Sequence, residues 1–125
     1  MSSTWLRKYH MPWCFREDSA KQAMNNHSFV INLDDKDSPG SHWVAARRVN
    51  GTLLYADPFG LVLKGYPPKE LQDLGLHEVV NRVAWQRPST NYCGYYAFCF
   101  AKAMDGLDEG TSQKELEEAL WQSVH

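Results

Sequence analysis

The sequence predicts an α+β fold, because strand-like segments fill its middle and helix-like segments fill its last third. The clearest strand signal is Asn50-Gly51, the preferred pair for a two-residue hairpin turn, with strand-forming residues on both sides. The clearest helix signal is Gly94–Met104, an apolar stretch too long for an average strand. We therefore expect several strands, then a buried helix, then a terminal helix.

Local composition and turn chemistry predict the remaining elements. Pro67-Pro68 begins a short helix that ends near Gly75, and Ser112 with Glu115 forms a capping box before the terminal helix. The rest of residues 1–27 is mixed and polar. In chain order we predict a helix at 19–24, a strand at 29–33, a loop at 34–40, strands at 43–49 and 52–56, a helix at 67–74, a strand at 78–85, a helix at 94–104 and a helix after 112.

Composition and charge limit the classes of function. The chain has 125 residues, of which 43% are hydrophobic, and this suits one domain spanning 1–125 with an ordinary core. The net charge is −2, so no large positive field supports nucleic-acid binding. Arg47-Arg48 is a local basic pair that leaves contact with an acidic partner open, beside the simpler interpretation as solvated strand residues.

The three cysteines form an odd set, and their spacing fits neither a disulfide framework nor a zinc site. We therefore predict no cofactor and no metal, and an intracellular reducing compartment in which a free thiolate persists. The N-terminus lacks the apolar run of a secretion signal. No apolar run reaches the ~18 residues of a membrane span, so no membrane partner is expected.

The candidate nucleophile is Cys93, which precedes Gly94 and opens the predicted apolar helix. A thiol at a helix N-terminus feels partial positive charge, which stabilises its thiolate. Gln86 stands seven residues earlier, and its amide can donate to an oxyanion beside the sulfur. Gly94 has no side chain and so allows a substrate backbone to approach closely. This arrangement predicts a cysteine peptidase.

The hairpin turn tests whether a base and an acid meet. With Asn50-Gly51 as the loop, Val49 pairs with Thr52, and paired residue numbers sum to 101. In this register His42 and Asp57 form a diagonal cross-strand pair with backbones roughly 7–8 Å apart. An imidazole and a carboxylate can span that gap with a hydrogen bond, whereas a slip of one residue would put them on opposite faces.

Each member of this set has a predicted role. Asp57 orients His42 and stabilises its charged form, and His42 takes the proton from Cys93 or pairs with its thiolate. Gln86 and the backbone N–H of Cys93 stabilise the oxyanion. Trp43 is expected in the core or in the wall of the substrate cleft. Ordinary structural roles are assigned to the other cysteines and histidines, which are Cys14, Cys99, His10, His27, His77 and His125.

The ordered set resembles the adenain-type cysteine proteases of adenoviruses and related DNA viruses, and more distantly the SUMO- and ubiquitin-like-specific proteases. The matching segments are Phe29-Val30-Ile31-Asn32, Ser41-His42-Trp43-Val44-Ala45, Tyr55-Ala56-Asp57-Pro58-Phe59-Gly60, Gln86 and Cys93-Gly94-Tyr95-Tyr96. The similarity runs from about residue 29 to residue 104. His-Trp and Cys-Gly are weak signals separately, whereas the Pro-Phe-Gly after the acid and the glutamine offset make the set specific.

The resemblance implies a mixed central β-sheet flanked by helices, with the nucleophile at the N-terminus of a central buried helix, as in the papain-like superfamily. It implies cleavage of peptide or isopeptide bonds after small residues such as glycine, by Cys93, His42, Asp57 and Gln86 in the roles given above. The adenoviral enzymes commonly use glutamate as the acid, and the aspartate here matches the SUMO proteases. Because this chain is shorter than adenain, adenain's activating peptide and DNA cofactor are not carried over, and an activating peptide for this chain is left open without support from the sequence.

The leading hypothesis is a viral or mobile-element protease that processes structural precursor proteins in the host cytoplasm or nucleus, or in the virion. A deubiquitinase or deSUMOylase acting on host modifiers is the alternative within the same chemistry. A binding module that kept the fold without turnover is a second alternative, and a thiol acyltransferase is a third. The expected partner is a protein or peptide substrate, with no requirement for nucleic acid.

Overall fold

The computed structural model describes residues 3–33, 42–60, 67–84 and 93–125. Within these ranges five strands form one sheet, in the order β1-β2-β3-β4-β5, and five α-helices pack around it. The strands are β1 (Trp13–Phe15), β2 (Phe29–Asn32), β3 (Trp43–Val49), β4 (Thr52–Ala56) and β5 (His77–Val80). The helices are α1 (Ser3–Lys8), α2 (Ser19–Ala23), α3 (Lys69–Gln72), α4 (Cys93–Met104) and α5 (Gln113–Val124). The prediction of an α+β fold is confirmed.

The sheet is mixed, because its central strands are antiparallel and its outer strands are parallel to their neighbours. β2, β3 and β4 are antiparallel, whereas β1 runs parallel to β2 and β5 runs parallel to β4. The register pairs Val49 with Thr52 and Ala45 with Ala56, so the predicted sum of 101 is confirmed. Asn50 has a φ of 53°, the left-handed conformation that a type I′ turn requires.

Hydrophobic clusters cover both faces of the sheet. Because side chains alternate along β3, Ala45 faces one cluster while Val44 and Ala46 face the other. The first cluster joins the sheet to α1, α4 and α5 and includes Leu6, Val30, Ala45, Leu54, Ala97, Phe100, Met104, Leu116 and Leu120. The second joins it to α2 and α3 and includes Ala23, Ile31, Val44, Leu53, Tyr55 and Leu71. Full burial of each large apolar side chain contributes roughly 1.5–3 kcal/mol to stability.

The C-terminal end of α4 is anchored near the hairpin turn. Arg47 Nη1 donates a hydrogen bond to the carbonyl oxygen of Met104 at 2.8 Å. Ser28 donates to Asp105 Oδ1 from its backbone nitrogen at 3.1 Å and from its hydroxyl at 2.8 Å. Ser28 directly precedes β2, and it lies at the Arg47 end of the sheet because β2 and β3 are antiparallel. From this anchor α4 packs mainly against β3 and α5.

Some element predictions were incomplete or wrong. Neither α1 nor β1 was predicted, and β1 forms a parallel pair with β2. The strand predicted over 78–85 instead starts at His77 and ends at Val80, and the chain leaves the sheet at residue 81. The predicted loop at 34–40 lies outside the described residues. In the part of the chain that the structure describes, no helix is long and apolar enough to cross a bilayer.

Candidate active site

His42 and Asp57 form a hydrogen-bonded pair at the open end of the hairpin. His42 Nε2 lies 2.9 Å from Asp57 Oδ2, the Asp57 side chain is fully buried, and 20% of the His42 side chain is exposed. His42 directly precedes β3 and Asp57 directly follows β4, so both lie on the diagonal that the hairpin register predicts. A buried carboxylate at this distance orients the imidazole ring and stabilises its protonated form.

The turn after Asp57 fixes both members of the pair. Asp57 Oδ1 accepts a hydrogen bond from the backbone N–H of Phe59 at 2.8 Å, and the Phe59 ring stacks on the His42 imidazole with centroids 5.0 Å apart. Gly60 donates its N–H to the Asp57 carbonyl at 2.9 Å and has a φ of +68°. A Cβ on Gly60 would lie 2.9 Å from backbone atoms of residues 82–84, so the close approach requires glycine.

Asn81 is part of this site, and the sequence interpretation missed it. It is fully buried immediately after β5. Its Oδ1 accepts the backbone N–H of Asp57 at 2.8 Å, and its Nδ2 donates to the Asp57 carbonyl at 2.7 Å and to the Val83 carbonyl at 3.1 Å. The available signal was a polar residue directly after the apolar pair Val79-Val80, at the end of a strand. That signal becomes informative once β5 is known to neighbour the strand that carries the acid.

The first turn of α4 carries the candidate nucleophile position. Cys93 is the first residue of the helix, and Gly94 beside it is buried. Tyr96, one turn into the helix, packs against the same hydrophobic cluster as Phe59 of the acid turn. The beginning of α4 and the turn that holds Asp57 therefore pack on the cluster that covers the same face of the sheet. A helix N-terminus places partial positive charge at its first residues, and this favours a thiolate there.

The other two cysteines lie in surroundings that oppose ionisation. Burial, together with the nearby Asp18 carboxylate, raises the pKa of the Cys14 thiol from 9.0 to about 12. Burial also raises the pKa of the Cys99 thiol, and its hydrogen bond with Tyr95 offsets part of that effect. Both are free cysteines. Their environments suit the structural roles predicted for them, because the reactive form of cysteine is the thiolate.

The remaining predicted site residues have different outcomes. Gln86 lies outside the described residues, so its role as an oxyanion donor stays a prediction. Trp43 is 5% exposed and meets Trp13 edge to face, with ring centroids 5.9 Å apart. It therefore belongs to the core, and a contact of Trp43 with substrate stays a prediction. Close approach of substrate to Gly94 also stays a prediction.

Within residues 3–33, 42–60, 67–84 and 93–125, no cluster of three or more His, Cys, Asp or Glu residues could hold a metal ion. Comparison of the chain with known protein families, curated proteins and solved structures gives no match. The class of protein must therefore be inferred from the residues and their geometry. The described site is an imidazole with a buried carboxylate that orients it, and the chain also carries a helix, α4, that begins with a cysteine.

Proposed function

We propose that this protein is a cysteine peptidase in which His42 and Asp57 activate the thiol of Cys93. The observation that carries the proposal is the 2.9 Å hydrogen bond between His42 Nε2 and the buried Asp57 carboxylate. A base oriented by an acid is the part of a nucleophilic triad that prepares a thiol or hydroxyl for attack. The third member would be the cysteine at the start of the apolar helix α4.

The length and anchoring of α4 support a position of Cys93 near His42. From Met104 back to Cys93 the helix rises about 16 Å, at about 1.5 Å per residue. From Arg47 back to His42 the chain spans about 16 Å, at about 3.3 Å per residue. Because Arg47 binds the Met104 carbonyl, the start of α4 would reach the level of His42 along the sheet. Phe59, whose ring stacks on His42, and Tyr96 of α4 pack against the cluster on the same face of the sheet, which is the face that the proposed placement requires.

The hydrogen bond through Nε2 assigns the proton transfer to the other ring nitrogen of His42. In the proposed mechanism the Cys93 thiol gives its proton to Nδ1, and the thiolate attacks the scissile carbonyl carbon. The imidazolium then protonates the leaving amine as the C–N bond breaks, which leaves a thioester on Cys93. Water, deprotonated by His42, hydrolyses that thioester. Asp57 stabilises the imidazolium in both steps.

The proposed oxyanion donors are the backbone N–H of Cys93 and the side-chain amide of Gln86. Loss of one such donor costs on the order of 3 kcal/mol of transition-state stabilisation. The resemblance to adenain-type proteases extends this proposal to a papain-like fold, with cleavage of peptide or isopeptide bonds after small residues such as glycine. Viral or mobile-element precursor proteins are the proposed substrates. The aspartate at position 57, as in SUMO proteases, favours ubiquitin-like modifiers as the second candidate substrate class.

Hydrolysis of defined substrates tests the proposal. Peptides with glycine before the scissile bond, and ubiquitin and SUMO fusions, would be incubated with the wild-type protein under reducing conditions. We expect cleavage that is abolished in Cys93→Ala and His42→Ala and strongly reduced in Asp57→Asn. Gln86→Ala is expected to lower turnover by about 10²–10³-fold.

Cys14→Ala and Cys99→Ala are matched controls, because each also removes a thiol. Both should keep turnover near the wild-type level if they remain folded. Turnover that survives in Cys93→Ala would contradict the assignment of the nucleophile. A folded wild-type protein that binds these substrates without cleaving any of them would instead favour the binding-module alternative.

A further inference from the structure

Asn81 uses its carboxamide to hold the backbone of the proposed catalytic acid. Its oxygen accepts from the Asp57 N–H at 2.8 Å, and its nitrogen donates to the Asp57 carbonyl at 2.7 Å. Both backbone groups of a single residue are therefore satisfied by one side chain. Asn81 is 0% exposed, so solvent cannot replace either bond if the carboxamide is lost.

The carboxamide takes the place of a strand neighbour at the point where the parallel pair of β4 and β5 ends. The last paired residues are Tyr55 and Val80, and the Asn81 N–H still reaches the Tyr55 carbonyl at 3.3 Å. Two residues after Tyr55, just past the end of β4, a side chain replaces the backbone as the partner of Asp57. This substitution allows the chain to turn away from the sheet after residue 81 while Asp57 stays fixed.

The same side chain also holds the segment that follows it. Asn81 Nδ2 donates to the Val83 carbonyl at 3.1 Å, and the backbone of residues 82–84 packs so closely on Gly60 that no Cβ fits there. Residues 81–84 and the turn from Asp57 to Gly60 therefore form one interlocked unit. Val83 stands three residues before Gln86 in the sequence. One carboxamide thus holds the backbone of the acid and the start of the chain that leads to the predicted oxyanion donor.

We propose that Asn81 is a positioning residue that fixes the Asp57 carboxylate against His42. This inference rests on the proposed function for its catalytic consequence, but the hydrogen bond that it concerns exists with or without turnover. Asparagine suits the position because it offers an acceptor and two donors on one planar group. Serine has a single hydroxyl oxygen one bond closer to its own backbone, so it cannot reproduce the separate acceptor and donor that the carboxamide presents to Asp57. A misplacement of the acid by about 1 Å can cost on the order of 10²-fold in rate.

The test compares Asn81→Ser with Thr52→Val. Thr52 is a matched control, because it is a buried polar residue at the other end of β4, where its hydroxyl donates to the Glu109 carbonyl at 3.2 Å. Both variants remove hydrogen bonds made by a buried side chain, but only the first touches the acid. Unfolding in urea would confirm that each sample is folded. If Asn81→Ser does not fold, Asn81→Gln is used in its place, because it keeps the carboxamide and displaces it by one methylene.

Proton NMR of the His42 ring reads the hydrogen bond directly. We expect the low-field Nε2–H resonance, assigned by its loss in His42→Ala, to be present in the wild type and in Thr52→Val. In the Asn81 variant it should disappear or exchange with water at least about tenfold faster. In the peptidase assay the Asn81 variant should lose about 10–100-fold in kcat with little change in KM, whereas Thr52→Val should not.

The two readouts separate this inference from the proposed function. An unchanged Nε2–H resonance in a folded Asn81 variant would overturn the positioning role, whatever the activity. A protein without peptidase activity whose resonance is lost in the Asn81 variant would keep the positioning role and refute the proposed chemistry. A loss of kcat that is equal in Asn81→Ser and Thr52→Val would mean that stability alone explains it, and it would also refute the positioning role.

Discussion

Alkylation of the three cysteines by iodoacetamide should follow the order that the proposed chemistry requires. In this chemistry Cys93 is a thiolate at neutral pH, whereas burial and Asp18 raise the pKa of Cys14 to about 12. The perturbation is His42→Ala, which removes the proposed proton acceptor and leaves Cys14 in its own environment on the other side of β2. We expect this variant to slow alkylation of Cys93 and to leave alkylation of Cys14 unchanged.

The expected rates follow from two opposing effects. At pH 7 a thiol with a pKa of about 12 carries about 10³-fold less thiolate than one with the ordinary value of 9.0. Its thiolate is more basic, and with a Brønsted coefficient of about 0.4–0.5 each thiolate is about 15- to 30-fold more nucleophilic than that of an ordinary cysteine. The loss of thiolate is larger than the gain in nucleophilicity, so Cys14 should react about 30- to 60-fold more slowly than an ordinary cysteine. Its burial slows it further.

The same reasoning gives the rate of an activated Cys93. A thiol with a pKa of about 6, within the range of activated cysteines, is almost fully ionised at pH 7. It carries roughly 90-fold more thiolate than an ordinary cysteine and loses about 15- to 30-fold in nucleophilicity. The net advantage is about three- to sixfold, so Cys93 should react on the order of 10²-fold faster than Cys14. Its rate should level off above pH 7, whereas the rate of Cys14 should rise about tenfold with each pH unit.

Mass spectrometry of the labelled peptides measures all three rates in one sample between pH 5 and pH 9. Cys14→Ala combined with Cys99→Ala isolates Cys93 for a second measurement. The proposed ion pair predicts that the alkylation rate of Cys93 reaches a plateau above pH 7 in the wild type. In His42→Ala the same rate should rise steadily, about tenfold with each pH unit. If Cys93 reacts no faster than Cys99 and also rises steadily with pH in the wild type, the thiol is not activated and the enzyme proposal fails.

Two further predictions concern stability, and urea denaturation checks both. Gly60 and Gly75 share a φ of +68°, so substitution by alanine should lower the free energy of unfolding by about 1–2 kcal/mol at each. A Cβ at Gly60 would also meet backbone atoms at 2.9 Å, whereas one at Gly75 would meet nothing within 4 Å. Gly60→Ala should therefore cost at least about 1 kcal/mol more than Gly75→Ala, and equal losses would contradict the close approach. Arg47→Met removes charged hydrogen bonds to the last residue of α4 and to Leu107 just after it, and should lower the free energy of unfolding by about 2 kcal/mol or more. Arg48→Met, whose Nη1 reaches the exposed Met24 Sδ, should cost much less, and equal effects would show that Arg47 does not anchor the helix.

The hairpin and the pair that it carries could be predicted because the information is local. Asn50-Gly51 selects a two-residue turn, and that turn alone sets which residues of β3 and β4 face each other. His42 and Asp57 then follow by counting. The cap of α5 is equally local, since Ser112 accepts the backbone N–H of Glu115 at 3.2 Å as the capping box predicts.

The parts that escaped prediction depend on contacts between distant segments. β1 is three residues long in a polar region, and it is a strand because Trp13–Phe15 pairs with β2 about 17 residues later. Asn81 reaches Asp57 across 24 residues of sequence, through the parallel pairing of β4 with β5. No short-range pattern encodes either pairing. The predicted strand ran past Val80 for the same reason. The weak alternation of apolar and polar residues continues beyond Asn81, whose side chain replaces the backbone pairing between β4 and β5.

Arg47 did not stand out in the sequence as more than a solvated or partner-binding charge, yet it links stability to the proposed catalysis. Its guanidinium holds the carbonyl end of α4, where a positive charge also complements the helix dipole. Cys93 lies at the other end of α4, about 16 Å from this anchor, so a tilt of the helix axis by about 5° would move Cys93 by about 1.4 Å.

The packing of Ala97, Phe100 and Ala101 on the sheet restrains such a tilt, so we expect a partial loss rather than inactivation. Folded Arg47→Met should lose about tenfold in kcat and in the alkylation rate of Cys93, while the Nε2–H resonance of His42 stays as in the wild type. Gly75→Ala, at the end of α3, is the control for a general loss of stability. If folded Arg47→Met keeps full activity and a reactive Cys93, the anchor does not determine where the sulfur lies, and the placement of Cys93 must come from its immediate neighbours.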